Sequence, residues 1–136
     1  MQLSSVQHGE FTLSVSGNIL LANLSGAWNE EAAHAFSKDL KSKVTPLVGA
    51  DWGHLVYLDD WSLGVPEIKP IVEELVAWCC GNGLKRAAHV YSSSMLKKLQ
   101  LEDFVAETGD FQRRAFASEA EAIDWLAAEG YGLTHR

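Results

Sequence analysis

Only two of the 136 residues are cysteines, and they are adjacent. Neighbouring side chains in a helix diverge by about 100°, so a bridge between Cys79 and Cys80 is strained. A disulfide scaffold and a Cys-x-x-Cys redox or metal site are thereby excluded, and free thiols point to a cytoplasmic protein. Prolines number three and glycines eleven, too few for a collagen-like or low-complexity chain. Basic residues are also short, with eleven Lys and Arg against eighteen acids and a net charge of −7. The basic pairs Lys85-Arg86, Lys97-Lys98 and Arg113-Arg114 are scattered among those acids and read as solvated faces. Nucleic acid and anionic membrane surfaces need a basic footprint, so neither is an expected partner. No apolar run approaches the ~20 residues of a membrane span. The opening MQLSSVQHGEF lacks a basic segment leading into an apolar one, so no signal peptide is expected.

Apolar residues, by contrast, make up 47% of the chain. That suffices for a core in a single domain spanning 1–136, with its folded body at about 10–131. Phe11, Leu13 and Val15 alternate with polar residues, Gly17-Asn18 suits a tight hairpin turn, and a return strand follows at about Ile19–Leu24. Asn29 is placed to cap a helix carrying Ala33, Phe36, Leu40, Val44 and Leu47, with Pro46 ending it. His54–Leu58 reads as a buried strand. A second helix carries Ile68, Ile71, Val72, Leu75 and Cys79, with Pro66 and Pro70 in its approach or first turn, and Gly81-Asn82-Gly83 closing it. Ala87–Tyr91 is another strand. Ser93 or Ser94 caps a third helix whose apolar residues are Leu96, Leu99 and Phe104. Gln112–Phe116 is a fifth strand. The capping box Ser118-x-x-Glu121 starts a last helix bearing Ala122, Ile123 and Leu126, and Gly130 stops it. The order β-β-α-β-α-β-α-β-α predicts an α/β fold with a five-stranded, mostly parallel sheet, one strand being antiparallel. Phe36, Leu58, Ile71, Leu75, Val90, Ile123 and Leu126 are expected in the core.

Three segments carry a resemblance: "LVYLDDW", "ELVAWCCGNGLKRAAHV" and "FASEAEAIDWLAAEGY". With the order of elements they resemble the SpoIIAA-like group of the STAS/SEC14-like superfamily, over roughly residues 10–131. The resemblance implies a non-enzymatic regulatory or protein-interaction domain. As an alternative it implies a carrier of a small apolar or lipid-like ligand held beside the sheet. STAS domains of the anti-sigma-factor-antagonist type carry a phosphoacceptor at the helix after the third strand. Here that place reads Asp59-Asp60-Trp61-Ser62-Leu63-Gly64. Ser62 is the matching candidate, with Trp61 intervening and two carboxylates opposing an added phosphate.

In a parallel α/β sheet, ligands bind beyond the carboxyl ends of the strands. That rule gathers Trp28, Asp59, Asp60, Trp61, Ser62, Tyr91 and Ser93 as the candidate ligand- or partner-binding set. Trp28, Trp61 and Tyr91 are expected to border one pocket. Packing and capping duty is the competing role for the same residues. Adjacent residues at a strand end point to opposite faces, which opposes a shared-proton pair of Asp59 and Asp60. His8, His34, His54, His89 and His135 show no metal-ligand spacing and are read as ordinary histidines. No nucleophile elbow, phosphate loop or dinucleotide fingerprint is present. Cys79 lies on an apolar stripe near a helix C-terminus, the wrong setting for an activated thiolate. No catalytic set, metal or cofactor is expected. The partner is a protein or a small apolar ligand, and a homodimer is compatible with the sequence.

Overall fold

The opening hairpin begins where the alternating pattern does. Strand β1 (Glu10–Ser16) turns at Gly17-Asn18 and pairs antiparallel with β2 (Ile19–Trp28), from Ser16↔Ile19 out to Glu10↔Ser25. Gly17 takes φ +59°, and a Cβ there would run into the Gly132 carbonyl, so only glycine fits the turn. The computed structural model describes residues 7–134. His135 and the first residues of the MQLSSVQHGEF segment lie outside the described residues.

Helix α1 (Glu30–Lys43) starts at Asn29, whose side chain accepts from the Ala32 N–H, and gives way to a 3-10 turn at Thr45–Leu47 containing Pro46. Strand β3 (Trp52–Tyr57) pairs parallel with β2 through Ile19–Asn23. Strand β4 (Trp61–Gly64) and a 3-10 turn at Pro66–Ile68 precede α2 (Lys69–Gly81). Then come β5 (Leu84–Val90), α3 (Met95–Phe104), β6 (Gln112–Phe116) and α4 (Glu119–Ala128). Ser94 caps α3, and Ser118 caps α4, accepting from the Glu121 N–H and donating to its carboxylate.

The five expected strands run in the order β1-β2-β3-β5-β6, parallel except for β1. The structure adds a sixth, β4, where the sequence suggested only a strand-to-helix connection. Its cause is a length mismatch. Strand β2 has ten residues and β3 six, so β2 runs on past Asn23 without β3 beside it. Backbone polar groups seldom stay unpaired when buried. Here Gly26↔Trp61 and Trp28↔Gly64 pair, Gly26 N donates to the Asp60 carbonyl at 2.9 Å, and Val65 N donates to Trp28 O at 3.0 Å.

Inward positions of β2, β3 and β5 send Leu20, Ala22, Leu24, Val56 and Ala87 into one cluster with Phe36, Leu40, Leu75, Cys79, Leu101 and Phe104 from α1, α2 and α3. The opposite face packs Ile19, Leu55, Ala88 and Val90 against Ala122 and Leu126 of α4. Of the expected core, Phe36, Leu58, Leu75, Val90 and Leu126 are buried, while Ile71 and Ile123 are half-buried at its margin. The apolar face expected for α3 is different. Leu101 and Phe104 are buried, whereas Leu96 and Leu99 are 66% and 55% exposed. Among the described residues no helix is long and apolar enough to cross a membrane.

Candidate functional site

At the carboxyl edge of the sheet, the chain leaves β3 through Leu58-Asp59-Asp60 and enters β4. Asp59 Oδ1 accepts from the Ser92 N–H at 2.7 Å, tying this turn to the loop after β5. That backbone bond holds the Asp59 carboxyl below the usual carboxylate range, helped by its contact with the Ser92 side chain and by the nearby Lys97 ammonium. Lys97, in the first turn of α3, donates to the carbonyls of Leu58 and Asp59 at 2.8 and 2.9 Å. Gln100, one turn on, acts as a substitute strand. It donates to Gly64 O at 2.9 Å and accepts from Gly64 N at 2.8 Å. Asp59, Lys97 and Gln100 therefore fasten α3 over the β3–β4 turn. Asp60 is exposed and contributes its backbone carbonyl. The two aspartates form no shared carboxylate site.

Ser62 is exposed within β4, ahead of the Pro66–Ile68 turn, so it does not open α2. Its neighbour Leu63 takes φ +75°, a left-handed conformation unusual for a bulky residue. Ser93 is exposed in the loop before α3. Tyr91 is buried in the core, with its N–H donating to Phe116 O. Trp28 is buried against Phe11 and Phe36, at ring-centroid distances of 5.9 and 5.3 Å, and its indole donates to Ser25 O. Trp61 is buried as well, 4% exposed.

A cavity of about 110 Å³ lies between the sheet and α1, α2 and α3. Trp28 and Trp61 line it together with apolar residues such as Phe36, Leu75 and Phe104. Tyr91, Asp59, Asp60, Ser62 and Ser93 do not line it. The structure thus brings two of the seven candidates to one cavity and leaves the acids and serines on the outer edge.

Two residues read from the sequence as ordinary also line this cavity: His54 of β3 and His89 of β5. Neighbouring register pairs, His54↔Ala87 and Val56↔His89, put both imidazoles on the inner face. Burial holds His54 down at about 4. His89 is held down at about 3, first by burial, then by the Arg113 guanidinium and by His54. Both are therefore neutral at pH 7. His54 Nε2, His89 Nδ1 and Trp61 Nε1 are buried with no hydrogen-bond partner among the described residues. The signal was available in the sequence: His54-x-Val56 and Ala87-x-His89 share the period-two register of a strand's inner face.

Cys79 is buried on α2, and burial pushes its thiol up to about 12, so it is a packing residue. No group of three or more His, Cys, Asp or Glu suited to a metal ion exists among the described residues. On the outside of α3, Met95, Leu96 and Leu99 are 65%, 66% and 55% exposed and form a stripe at helical spacing.

No protein-family model matches the sequence, and no curated protein matches it. Solved structures do match. An uncharacterized protein of the DUF3478 family with a SpoIIAA-like fold, from Shewanella loihica PV-4, aligns with a TM-score of 0.65 at 14% identity, covering 89% of this chain and 95% of its own. The anti-sigma factor antagonist SpoIIAA in its unphosphorylated form aligns with a TM-score of 0.56 at 16% identity, covering 87% of this chain and 98% of its own. These likenesses establish the fold as SpoIIAA-like.

Proposed function

We propose that this chain is a non-enzymatic regulatory or interaction domain that recognises a protein partner at the carboxyl edge of its sheet. The observation that carries this reading is the exposed stripe of Met95, Leu96 and Leu99. Large aliphatic side chains more than half exposed and gathered on one helix face suit an interaction surface. The helix that bears them is fastened to the β3–β4 turn by Asp59, Lys97 and Gln100, so the stripe is presented on a fixed support. The fold adds weight, because one solved relative is named an anti-sigma factor antagonist, a protein that acts on another protein. Ser62 is exposed within β4, where a phosphate would gain no helix-terminus stabilisation. The surface is therefore proposed to act without a phosphoswitch at Ser62. The test is a Leu96→Glu/Leu99→Glu double variant with unchanged circular dichroism. Wild-type protein used as bait in its native cells should retain a partner that the variant loses, and identical capture by both would refute the reading.

A second reading, the carrier of a small apolar ligand, is favoured by the cavity that Trp28 and Trp61 line. It places the ligand inside the domain, behind the tryptophans of the edge.

A further inference from the structure

A dry apolar cavity needs no polar atoms in its wall. Buried polar side chains are nearly always hydrogen-bonded, because leaving one unpaired costs the desolvation of that group. This cavity nonetheless has three unpaired atoms on residues that line it: His54 Nε2, His89 Nδ1 and Trp61 Nε1. His89 and Trp61 are each only 4% exposed. The two histidines occupy neighbouring strands at mid-sheet, and the indole sits at the carboxyl edge. Their chemistry restricts what they can receive. An indole N–H only donates, whereas each neutral imidazole nitrogen donates or accepts according to tautomer. The remaining wall is almost wholly aliphatic and aromatic, so a charged occupant would lose its hydration without a counter-ion. Volume sets the size. A cavity of about 150 Å³ lined by aliphatic and aromatic side chains holds benzene; this one, at about 110 Å³, is smaller, so a ring enters it only as the lining side chains give slightly.

We propose that the cavity between the sheet and α1–α3 binds an uncharged amphipathic molecule of single-ring or short-chain size, whose hydroxyl or carbonyl group is held by the imidazoles of His54 and His89. The proposal rests on the carrier reading and names the ligand chemistry of that site. The unpaired nitrogens present almost no surface to the cavity as it stands, so a small turn of each ring brings a nitrogen to the polar group of the ligand, whose apolar body fills the space bounded by Phe36, Leu75 and Phe104.

Three single-ring probes separate the outcomes: phenol, benzene and benzoate, titrated at pH 7 and read by tryptophan fluorescence and by the imidazole ¹⁵N shifts. Phenol is expected to saturate, to move the shifts of His54 and His89, and to bind at least about tenfold tighter than benzene, since a site built for a hydroxyl discriminates against the analogue lacking it. Benzoate is expected not to bind. His89→Leu, which replaces the imidazole by an aliphatic group, should bring phenol down to the level of benzene. If that variant does not fold, His54→Leu serves the same purpose. Benzene binding as tightly as phenol would overturn the polar-group assignment while leaving the carrier reading intact. A leucine variant that keeps the phenol preference would also overturn it. Failure of every probe to saturate would remove both.

Discussion

Single residues divide here by how far away their partners lie. Asn29, Ser94 and Ser118 cap helices through backbone groups three positions on, and each cap was readable from local sequence. Asp59 accepts from Ser92 and Lys97 reaches Leu58, contacts that no local pattern announces. The histidines are the plainest case. Their type and spacing suggested no ligand set, and burial, aided at His89 by Arg113, makes them neutral groups, each with an unpaired ring nitrogen. That burial has a consequence for pH dependence. Both folded pKa values, about 4 and about 3, lie below the ordinary 6.5. The unfolded chain therefore binds more protons than the folded one across that window. Stability is complete above about pH 6.5 and falls as pH drops towards the folded values. Each histidine should contribute a loss of about 2 kcal/mol between pH 7 and pH 5. Thermal melts of wild type and His89→Leu should diverge over this range, with the variant less sensitive. Parallel curves would show that His89 is not buried neutral.

Among the elements, β4 and α3 depend most on tertiary context. Strand β4 has only four residues, Trp61-Ser62-Leu63-Gly64, whose brief alternation is too short to separate a strand from a loop. It exists because β2 overhangs β3. Gly64 ends it, and a Cβ at that position would collide with the Ile68 side chain. Gln100 closes its outer edge with two hydrogen bonds to Gly64. Gln100→Leu leaves both Gly64 groups without that partner and should cost about 1–3 kcal/mol. Amide exchange at Gly64 should accelerate with it, and unchanged protection there would show that the side-chain bridge is dispensable. Helix α3 also shows why periodicity misled. Leu96 and Leu99 match a helical stripe, but the neighbouring stripe of Leu101 and Phe104 is the one that meets the core. Either stripe satisfies the pattern, and the tether to β4 selects between them.

At the scale of the whole molecule, the two faces of the sheet differ. Three helices and the cavity cover one, and α4 with the chain that follows it covers the other. Leu75 of α2 is buried on the first face and lines the cavity. Leu75→Ala should therefore cost about 2 kcal/mol, the low end of the usual range, because part of its surface already lacks packed neighbours. Urea unfolding measures this, and a loss under ~0.5 kcal/mol would place Leu75 outside the packed core.

By itself the sequence determined the α/β class, the five strands of the main sheet, the four helices and most caps. These follow from periods of 2 and 3.6 residues and from capping groups, which act over a few positions. It also placed Trp28 and Trp61 where strands end, hence near a shared edge. Only the tertiary structure decided that these two line one cavity while Tyr91, in the same core cluster, does not reach it, that Ser62 lies in a strand, and that His54 and His89 face the same interior space. Each of those outcomes depends on the register between strands distant in sequence and on how three helices close over one face. A shift of one residue in the register between β3 and β5 would turn one imidazole to the opposite side and part the pair.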